Sequence, residues 1–227
     1  MNFEVVTLFP EMFKALNFGI TGRAQQNNII NINYWNPRDY ASDKYRRVDD
    51  RPYGGGPGMV MMVEPLHKTV EAIKSSCKNK SKVIHLSPRG RVFNQKLADK
   101  LAKEEHLILI ATRYEGVDQR FIDMDVDEEI SVGDYVVSGG DIPIMLLIDA
   151  VTRLLPGALG NEDSALQDSF SGGLLDCPHY TRPEKFLDHK VPDVLLSGDH
   201  AAIAKWRAKA AHDATAKMRP DLLEKKT

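Results

Sequence analysis

Short apolar runs alternate along the chain with longer segments in which apolar residues recur at helical spacing. The runs are rich in β-branched residues and predict five strands, at 3–9, 29–35, 82–87, 107–112 and 129–137. Segments 63–77 and 93–105 have apolar residues three and four positions apart, which predicts helices. Because strands alternate with helices of this length, the pattern predicts an α/β fold with a mostly parallel sheet.

The segment 141–157 is apolar around most of the predicted helical circumference. Asp141 is a plausible N-cap, Pro143 falls in the first turn, and Pro156-Gly157 ends the pattern. A helix with so little polar surface is expected to be buried on more than one side, either in the core or in a subunit interface.

The pattern changes near residue 160, which indicates a boundary between two parts of the chain. Apolar periodicity fades over 157–173, where Gly, Ser, Asn and Asp accumulate. A further helix is predicted over 198–218, with Ile203, Trp206 and Ala210 on one face. Residues 169–227 hold ten Lys and Arg against eight Asp and Glu, while residues 1–168 hold twenty against twenty-four.

Composition excludes several classes of protein. The formal net charge is −2, so any binding to nucleic acid must rest on local basic patches. The two cysteines are far apart, which excludes a disulfide framework or a four-cysteine zinc site and fits a reducing cytoplasm. The first residues do not predict a signal peptide, and the longest apolar stretch is too short for a membrane span.

A glycine run within "DDRPYGGGPGMVMM", residues 49–62, suggests that the backbone passes close to another group. A phosphate-binding P-loop requires a Gly-Lys pair, which the chain lacks, and a dinucleotide fingerprint needs glycine where Met59 stands. Two interpretations remain, a series of tight turns or the wall of a pocket.

Three predicted strands are followed by unusual loops, "SPRG" (87–90), "TRYEG" (112–116) and "SVGDYVVSGGD" (131–141). Ligands of open α/β sheets bind at the carboxyl ends of the strands, where such loops converge. Glycines let the main chain approach a ligand, and Gly139-Gly140 lead into a helix N-terminus. The loops therefore favour a cofactor that contains a nucleoside. A fourth segment, 166–183, carries Asp168, which is either a general base or a turn residue.

These stretches, together with "LFPEMF", "WNPRDY", "IDAVTRLLPG" and "DSFSGGLLDCPHYTRP", resemble the bacterial tRNA (guanine-N1)-methyltransferase family (the TrmD family) of the SPOUT superfamily. The match runs in order from about residue 4 to residue 207. The resemblance implies a knotted catalytic domain (1–159) with a trefoil knot near its C-terminal end, a flexible linker (160–172) and a helical tRNA-binding domain (173–227). It also implies a homodimer with active sites at the interface.

The activity implied by the resemblance is methyl transfer from S-adenosylmethionine to N1 of the guanine 3′ of the anticodon, tRNA position 37. Asp168 matches the family's general base and Arg153 its catalytic arginine. The family uses a divalent cation such as Mg²⁺, whose ligands the resemblance leaves open, with Glu115 and Asp168 as candidates.

The resemblance also assigns binding residues. The implied cofactor-binding residues are Leu86, Ser87, Pro88, Thr112, Glu115, Ser131, Val132, Gly133, Asp134, Tyr135, Val136, Val137, Gly139, Gly140 and Pro143. Thr112 departs from the glycine usual in the family, which is expected to affect cofactor affinity through backbone strain or a narrower pocket. Candidate RNA-binding residues are Arg46, Arg47, Arg51, Arg182, Lys205, Arg207 and Lys209.

Two other functions remain open from the sequence. One is a ribose 2′-O-methyltransferase of the same superfamily, which would not require a carboxylate base in the linker. The other is an RNA-binding module without catalytic activity, in which Asp168 and Arg153 would be replaceable without effect.

Overall fold

Five parallel strands form the central sheet of the N-terminal part of the chain, in a computed structural model that describes residues 1–77, 79–160 and 168–224. Their order in the sheet is β2-β1-β6-β5-β7. The strands are β1 (Asn2–Val6), β2 (Asn31–Trp35), β5 (Lys82–Val92), β6 (His106–Ile110) and β7 (Glu128–Ser131). Between β2 and β5, β3 (Asp49–Asp50) and β4 (Val60–Met61) form a small antiparallel ribbon. The predicted α/β class with a parallel sheet is therefore confirmed.

Helices cover both faces of this sheet. They are α1 (Gly19–Gln26), α2 (Val63–Ser76), α3 (Gln95–Leu101), α4 (Gln119–Asp125) and α5 (Asp141–Thr152), with 3-10 helices at Pro10–Asn17 and Pro37–Tyr40. The strand β6 is buried along its whole length, because Leu107 and Leu109 pack in one apolar cluster and Ile108 and Ile110 in the other. The first cluster includes residues of α3 and α5, and the second includes residues of α2. A strand covered on both faces explains the unbroken apolar run in the sequence.

Two strand ends, those of β5 and β7, differ most from the prediction. The "SPRG" segment is not a loop, because β5 continues through it to Val92 and pairs with β7 in two registers. Gly90 makes this possible, since a Cβ there would lie 2.4 Å from the backbone nitrogen of Ile130. The predicted strand 129–137 is wrong beyond Ser131, where Gly133 adopts a φ of 144° and its N–H donates to Ser131 Oγ at 3.2 Å.

The helix boundaries were predicted more closely. Gly140, rather than Asp141, is the N-cap of α5, and the helix ends at Thr152. Most of α5 is buried, as predicted, but Ile142 and Leu146 remain exposed.

Contacts divide the chain into two compact units, 1–160 and 161–227. The described part of the second unit contains the hairpin of β8 (Lys185–Phe186) and β9 (His189–Lys190), then α6 (Asp193–Leu196), α7 (His200–Met218) and a 3-10 helix at Pro220–Leu222. The Asp199 carboxylate caps α7 by accepting from the N–H groups of Ala201 and Ala202, both at 3.0 Å. Most of the predicted linker 160–172 lies outside the described residues. No helix in the described ranges is long and apolar enough to cross a membrane.

Candidate functional site

A cleft of about 360 Å³ opens beside the carboxyl ends of β6 and β7, next to the segment of β5 that follows Leu86. The loop 112–117 and the loop 132–140 complete its walls. Of the fifteen residues that the sequence assigns to the cofactor, all but Gly133 and Asp134 line this cleft. The thirteen are Leu86, Ser87, Pro88, Thr112, Glu115, Ser131, Val132, Tyr135, Val136, Val137, Gly139, Gly140 and Pro143. The fold thus gathers residues that are far apart in the sequence into one concave surface.

A buried ion pair holds two of these loops in place. Arg113, at the end of β6, donates through Nε to Asp141 Oδ2 at 2.8 Å, while Asp141 Oδ1 accepts from Thr7 Oγ1 at 2.6 Å. A further bond from Arg113 Nη1 reaches the carbonyl of Ser138 at 3.2 Å. The Asp141 side chain is only 2% exposed, so its charge is compensated almost entirely by these partners. The network fixes the start of α5 against the ends of β1 and β6.

The floor of the cleft contains a buried histidine that the sequence did not single out. His85 Nδ1 lies 3.0 Å from Glu129 Oε1, and His85 Nε2 lies 3.2 Å from Thr112 Oγ1. Burial lowers the pKa of His85 despite the nearby Glu129 carboxylate, so the ring is neutral at physiological pH. A neutral ring donates from one nitrogen and accepts at the other, which orients the Thr112 hydroxyl.

Thr112 occupies its position without backbone strain. The described non-glycine residues with positive φ are Asn28, Arg46, Tyr114, Phe170 and Leu187, and Thr112 is not among them. Of the two expectations for this position, backbone strain is not observed, and the Thr112 side chain lines the cleft and bonds to His85.

Close approach, rather than unusual φ, explains the glycine pair before α5. A Cβ on Gly140 would lie 2.9 Å from Ala111 Cα and 3.0 Å from the backbone nitrogen of Thr112. The Gly140 N–H donates to the carbonyl of Thr112 at 2.9 Å. A Cβ on Gly139 would lie 2.5 Å from the Arg113 side chain. The absence of a side chain at Gly140 lets the two loops touch through their backbones, and its absence at Gly139 leaves room for the Arg113 side chain.

The glycine run at 54–58 does not line the cleft but contacts a residue that does. All four of its glycines have positive φ, between 77° and 123°. A Cβ on Gly58 would lie 2.6 Å from Glu115 Cγ, and the Glu115 N–H donates to the carbonyl of Met59 at 2.9 Å. The run therefore contacts the back of Glu115, which itself lines the cleft.

The two predicted catalytic residues lie outside this cleft's lining. Arg153 is the half-buried C-cap of α5, at the opposite end of the helix from Gly140. Asp168 is exposed and belongs to the second unit, where its carbonyl accepts from the N–H of Ser171 at 3.2 Å.

The predicted RNA-binding residues are exposed, and two of them share a groove of the second unit. Arg182 and Arg207 border this groove of about 390 Å³, beside Tyr180 and Trp206, whose ring centroids are 6.2 Å apart. Lys205 and Lys209 lie on α7 outside its lining. The three predicted residues of the first unit, Arg46, Arg47 and Arg51, precede the glycine run. Arg46 forms an ion pair with Asp39, and Arg47 forms one with Asp43.

Sequence reasoning missed several other residues of the cleft. They are His85, Arg89, Arg113, Tyr114, Gly116, Val117, Ile122, Glu129, Ile130 and Ser138. Arg113, Tyr114 and Gly116 stand inside the quoted loop "TRYEG", so attention to the whole loop would have found them. His85 sits within a buried strand and gave no separate signal.

The fold and the cleft define an α/β protein with a cleft at the carboxyl edge of a parallel sheet, where proteins of this class bind small ligands. A model of the family described as "tRNA (Guanine-1)-methyltransferase TrmD" matches residues 1–225. A tRNA (guanine-N(1)-)-methyltransferase of Pseudomonas savastanoi pv. phaseolicola (strain 1448A / Race 6) is 57% identical over 228 residues, covering 100% of this chain and 91% of the relative. Its counterpart in Pseudomonas entomophila (strain L48) is 58% identical over 225 residues, covering 99% of this chain and 90% of the relative. The chain belongs to the tRNA (guanine-N1)-methyltransferase family, which confirms the resemblance seen in the sequence.

Proposed function

We propose that this protein transfers a methyl group from S-adenosylmethionine to N1 of the guanine 3′ of the anticodon, at tRNA position 37. Family membership over the whole chain carries this proposal. Its tRNA substrate and its reaction follow from the names of relatives that are more than half identical to it.

The cleft is the proposed cofactor site. Its volume of about 360 Å³ falls within the usual range for small-molecule pockets. The residues present fit a nucleoside-containing cofactor, because the cleft combines polar groups such as the Glu115 carboxylate with apolar side chains such as Leu86 and Val137. When bound, S-adenosylmethionine supplies an electrophilic methyl group. The Thr112 hydroxyl, the Glu115 carboxylate and the backbone of 132–140 would orient it.

Two side chains are proposed to act on the guanine. N1 of guanine carries a proton and is a weak nucleophile until that proton leaves, so a carboxylate base is needed, and Asp168 fills this role. Negative charge then spreads to O6, where the guanidinium of Arg153 stabilises it.

The position of Arg153 supports the proposal of a homodimer with active sites at the interface. Arg153 lies twelve residues beyond Asp141 on α5, which corresponds to about 18 Å along the helix axis. Pro143, which lines the cleft of the same protomer, is ten residues away, or about 15 Å along the axis, so Arg153 would serve a site completed by a second copy. Ile142 and Leu146, one turn apart and about half exposed, give α5 an apolar surface for such contact.

The family resemblance also leads us to propose a divalent cation such as Mg²⁺. Mg²⁺ prefers oxygen ligands in octahedral geometry. Glu115 offers one carboxylate at the cleft, and Asp168 offers another in the second unit. Among residues 1–77, 79–160 and 168–224, the one group of three possible metal ligands, Glu4, Cys77 and His106, contains a single carboxylate. No step of the reaction is therefore assigned to the metal.

The second unit is the proposed tRNA-binding domain. Its groove combines the cations Arg182 and Arg207 with the aromatic rings of Tyr180 and Trp206. Cations neutralise phosphates and aromatic rings stack on bases, which suits an RNA loop. The trefoil knot, the domain roles and the cytoplasmic location belong to the same proposal and rest on family membership.

The test is methylation of unmodified tRNA, followed by location of the methyl group. We expect the transferred methyl group on guanine N1, and a methyl group on ribose would contradict the proposed reaction. Asp168→Ala should nearly abolish turnover while leaving the affinity for S-adenosylmethionine, measured by calorimetry, roughly unchanged. Asp188→Ala, which removes another exposed carboxylate of the same unit, is the matched control and should retain turnover. An active Asp168→Ala enzyme would refute the role of the base.

A further inference from the structure

Three metal-binding side chains of different kinds converge under the C-terminal end of α2. Glu4 lies on β1, His106 is the first residue of β6, and Cys77 is the C-cap of α2. Within the described residues this is the one group in which donor atoms from three such side chains all lie within 4.8 Å of one another. The function proposed above does not use it.

Two of the three distances between donor atoms are close to those of a zinc coordination tetrahedron, and the third is within 4.8 Å. His106 Nε2 lies 3.0 Å from Glu4 Oε1 and 3.4 Å from Cys77 Sγ. Usual zinc-ligand bond lengths and tetrahedral angles place a nitrogen about 3.3 Å from an oxygen and about 3.6 Å from a sulfur. The observed distances differ from these by about 0.3 Å or less, so small side-chain movements would complete the geometry.

Hydrogen bonds among Glu4, Cys77 and His106 do not fully explain why these three side chains lie together. Nε2 of His106 faces both Glu4 Oε1 and Cys77 Sγ. A neutral ring nitrogen carries either one proton or one lone pair, so it serves only one of these partners fully. A cation between the three donor atoms would interact favourably with all of them.

The surroundings hold the carboxylate in position. Glu4 and His106 have side chains that are 6% and 9% exposed, on adjacent strands of the sheet. Glu4 Oε2 accepts from Trp35 Nε1 at 2.5 Å, and Glu4 Oε1 accepts from Asn33 Nδ2 at 2.9 Å. Such outer hydrogen bonds orient the ligands of metal sites and tune their affinity.

We propose that Glu4, Cys77 and His106 form a binding site for Zn²⁺ or a similar transition-metal ion, with water as the fourth ligand. Thiolate and imidazole favour such ions over Mg²⁺, so the site is chemically distinct from the cation expected for methyl transfer. An open depression bordered by His106, Asn79 and Glu105 gives solvent access. The site lies at the amino-terminal end of β6, whereas the cleft lies at the carboxyl end of that strand. A bound ion would fasten the end of α2 to β1 and β6.

The experiment uses the full chain, freed of metal with a chelator and titrated with Co²⁺ as a spectroscopic substitute for Zn²⁺. We expect one equivalent of Co²⁺ to produce a near-ultraviolet sulfur-to-cobalt charge-transfer band and visible bands of a tetrahedral ion, all displaced by Zn²⁺. Cys77→Ser should abolish the charge-transfer band. Cys177→Ser, which changes the other cysteine, is the matched control and should leave the spectrum intact.

A further variant tests the hydrogen bonds that orient Glu4. Trp35→Phe keeps an aromatic ring but removes the donor to Glu4, and it should weaken Co²⁺ affinity by about 10-fold to 100-fold. Circular dichroism of each variant identifies any that fail to fold. The proposal is overturned if the folded wild-type protein gives no charge-transfer band. It is equally overturned if the band survives in folded Cys77→Ser or is lost in folded Cys177→Ser.

Discussion

Gly140→Ala is the sharpest test of how the cleft is built. Gly140 has φ −75° and ψ −9°, a conformation that alanine adopts readily, so any loss must come from steric contact. The new Cβ would lie 2.9 Å from Ala111 Cα. Carbon atoms in ordinary contact are about 3.5 Å apart, so the backbone of α5 or β6 would have to move by about 0.6 Å. Overpacking of this kind costs about 1 to 3 kcal/mol.

The expected consequence is both thermal and functional. In a chain of this size each kcal/mol lowers the melting temperature by about 2 to 4 °C, so the variant should melt about 2 to 12 °C lower. S-adenosylmethionine affinity, measured by calorimetry, should fall as well, because the displaced atoms line the cleft.

Gly160→Ala provides the matched control for this substitution. A Cβ at Gly160 meets no atom of the described residues within 4 Å, and Gly160 does not have a positive φ. Its melting temperature and cofactor affinity should stay unchanged. If Gly140→Ala matches wild type in both measurements, close backbone approach does not shape the cleft.

Four further substitutions test the charges. Arg113→Leu leaves Asp141 buried without its cation, so urea unfolding should show a loss of about 3 to 5 kcal/mol, and a change below 1 kcal/mol would contradict the buried-pair argument. Burial lowers the pKa of His85 below its ordinary 6.5, so the unfolded chain binds the extra proton first and stability falls as pH drops below that value. In His85→Gln the free energy of unfolding should depend less steeply on pH in this range, by at most about 1.4 kcal/mol per pH unit. An unchanged slope would refute the conclusion that His85 causes this pH dependence. Replacing Lys205 or Arg207 by alanine should reduce the slope of log affinity for tRNA against log salt by about 0.7 to 0.9 for each lost phosphate contact, whereas an unchanged slope would remove that residue from the RNA surface.

Strands β1 and β6 of the central sheet were predictable because each contains an apolar run with polar residues beside it. The inner strands are buried on both faces, so period-two alternation is absent there and the run itself is the signal. What local pattern did not reveal is where β5 and β7 end. The length of β5 depends on Gly90 packing against β7, a contact between residues about forty positions apart. A contact of this range leaves no trace in either segment alone.

The cleft was predictable from loops at strand ends, and its residue assignments came from the family resemblance. The supporting groups behind it were not foreseen. Asp141 was expected to cap a helix, yet its carboxylate bonds to Thr7 and Arg113 instead. His85 looked like a strand residue, but its ring bonds to Glu129 and Thr112. These roles depend on which strands are neighbours, and strand order is a property of the whole fold.

The same contacts separate cofactor binding from catalysis in physical terms. Thr7 and Asp141 are 134 residues apart, yet their hydrogen bond, with that of Arg113, fixes the loops of the cleft within one compact unit. A preformed wall of this kind reduces the entropy lost when a ligand binds. Asp168 belongs to the other unit and lies just after a stretch of chain outside the described residues. The cofactor affinity should therefore depend on Arg113 and Gly140, and turnover alone on Asp168. If Asp168→Ala weakened cofactor binding as much as Arg113→Leu does, the cleft would not be complete within its own unit.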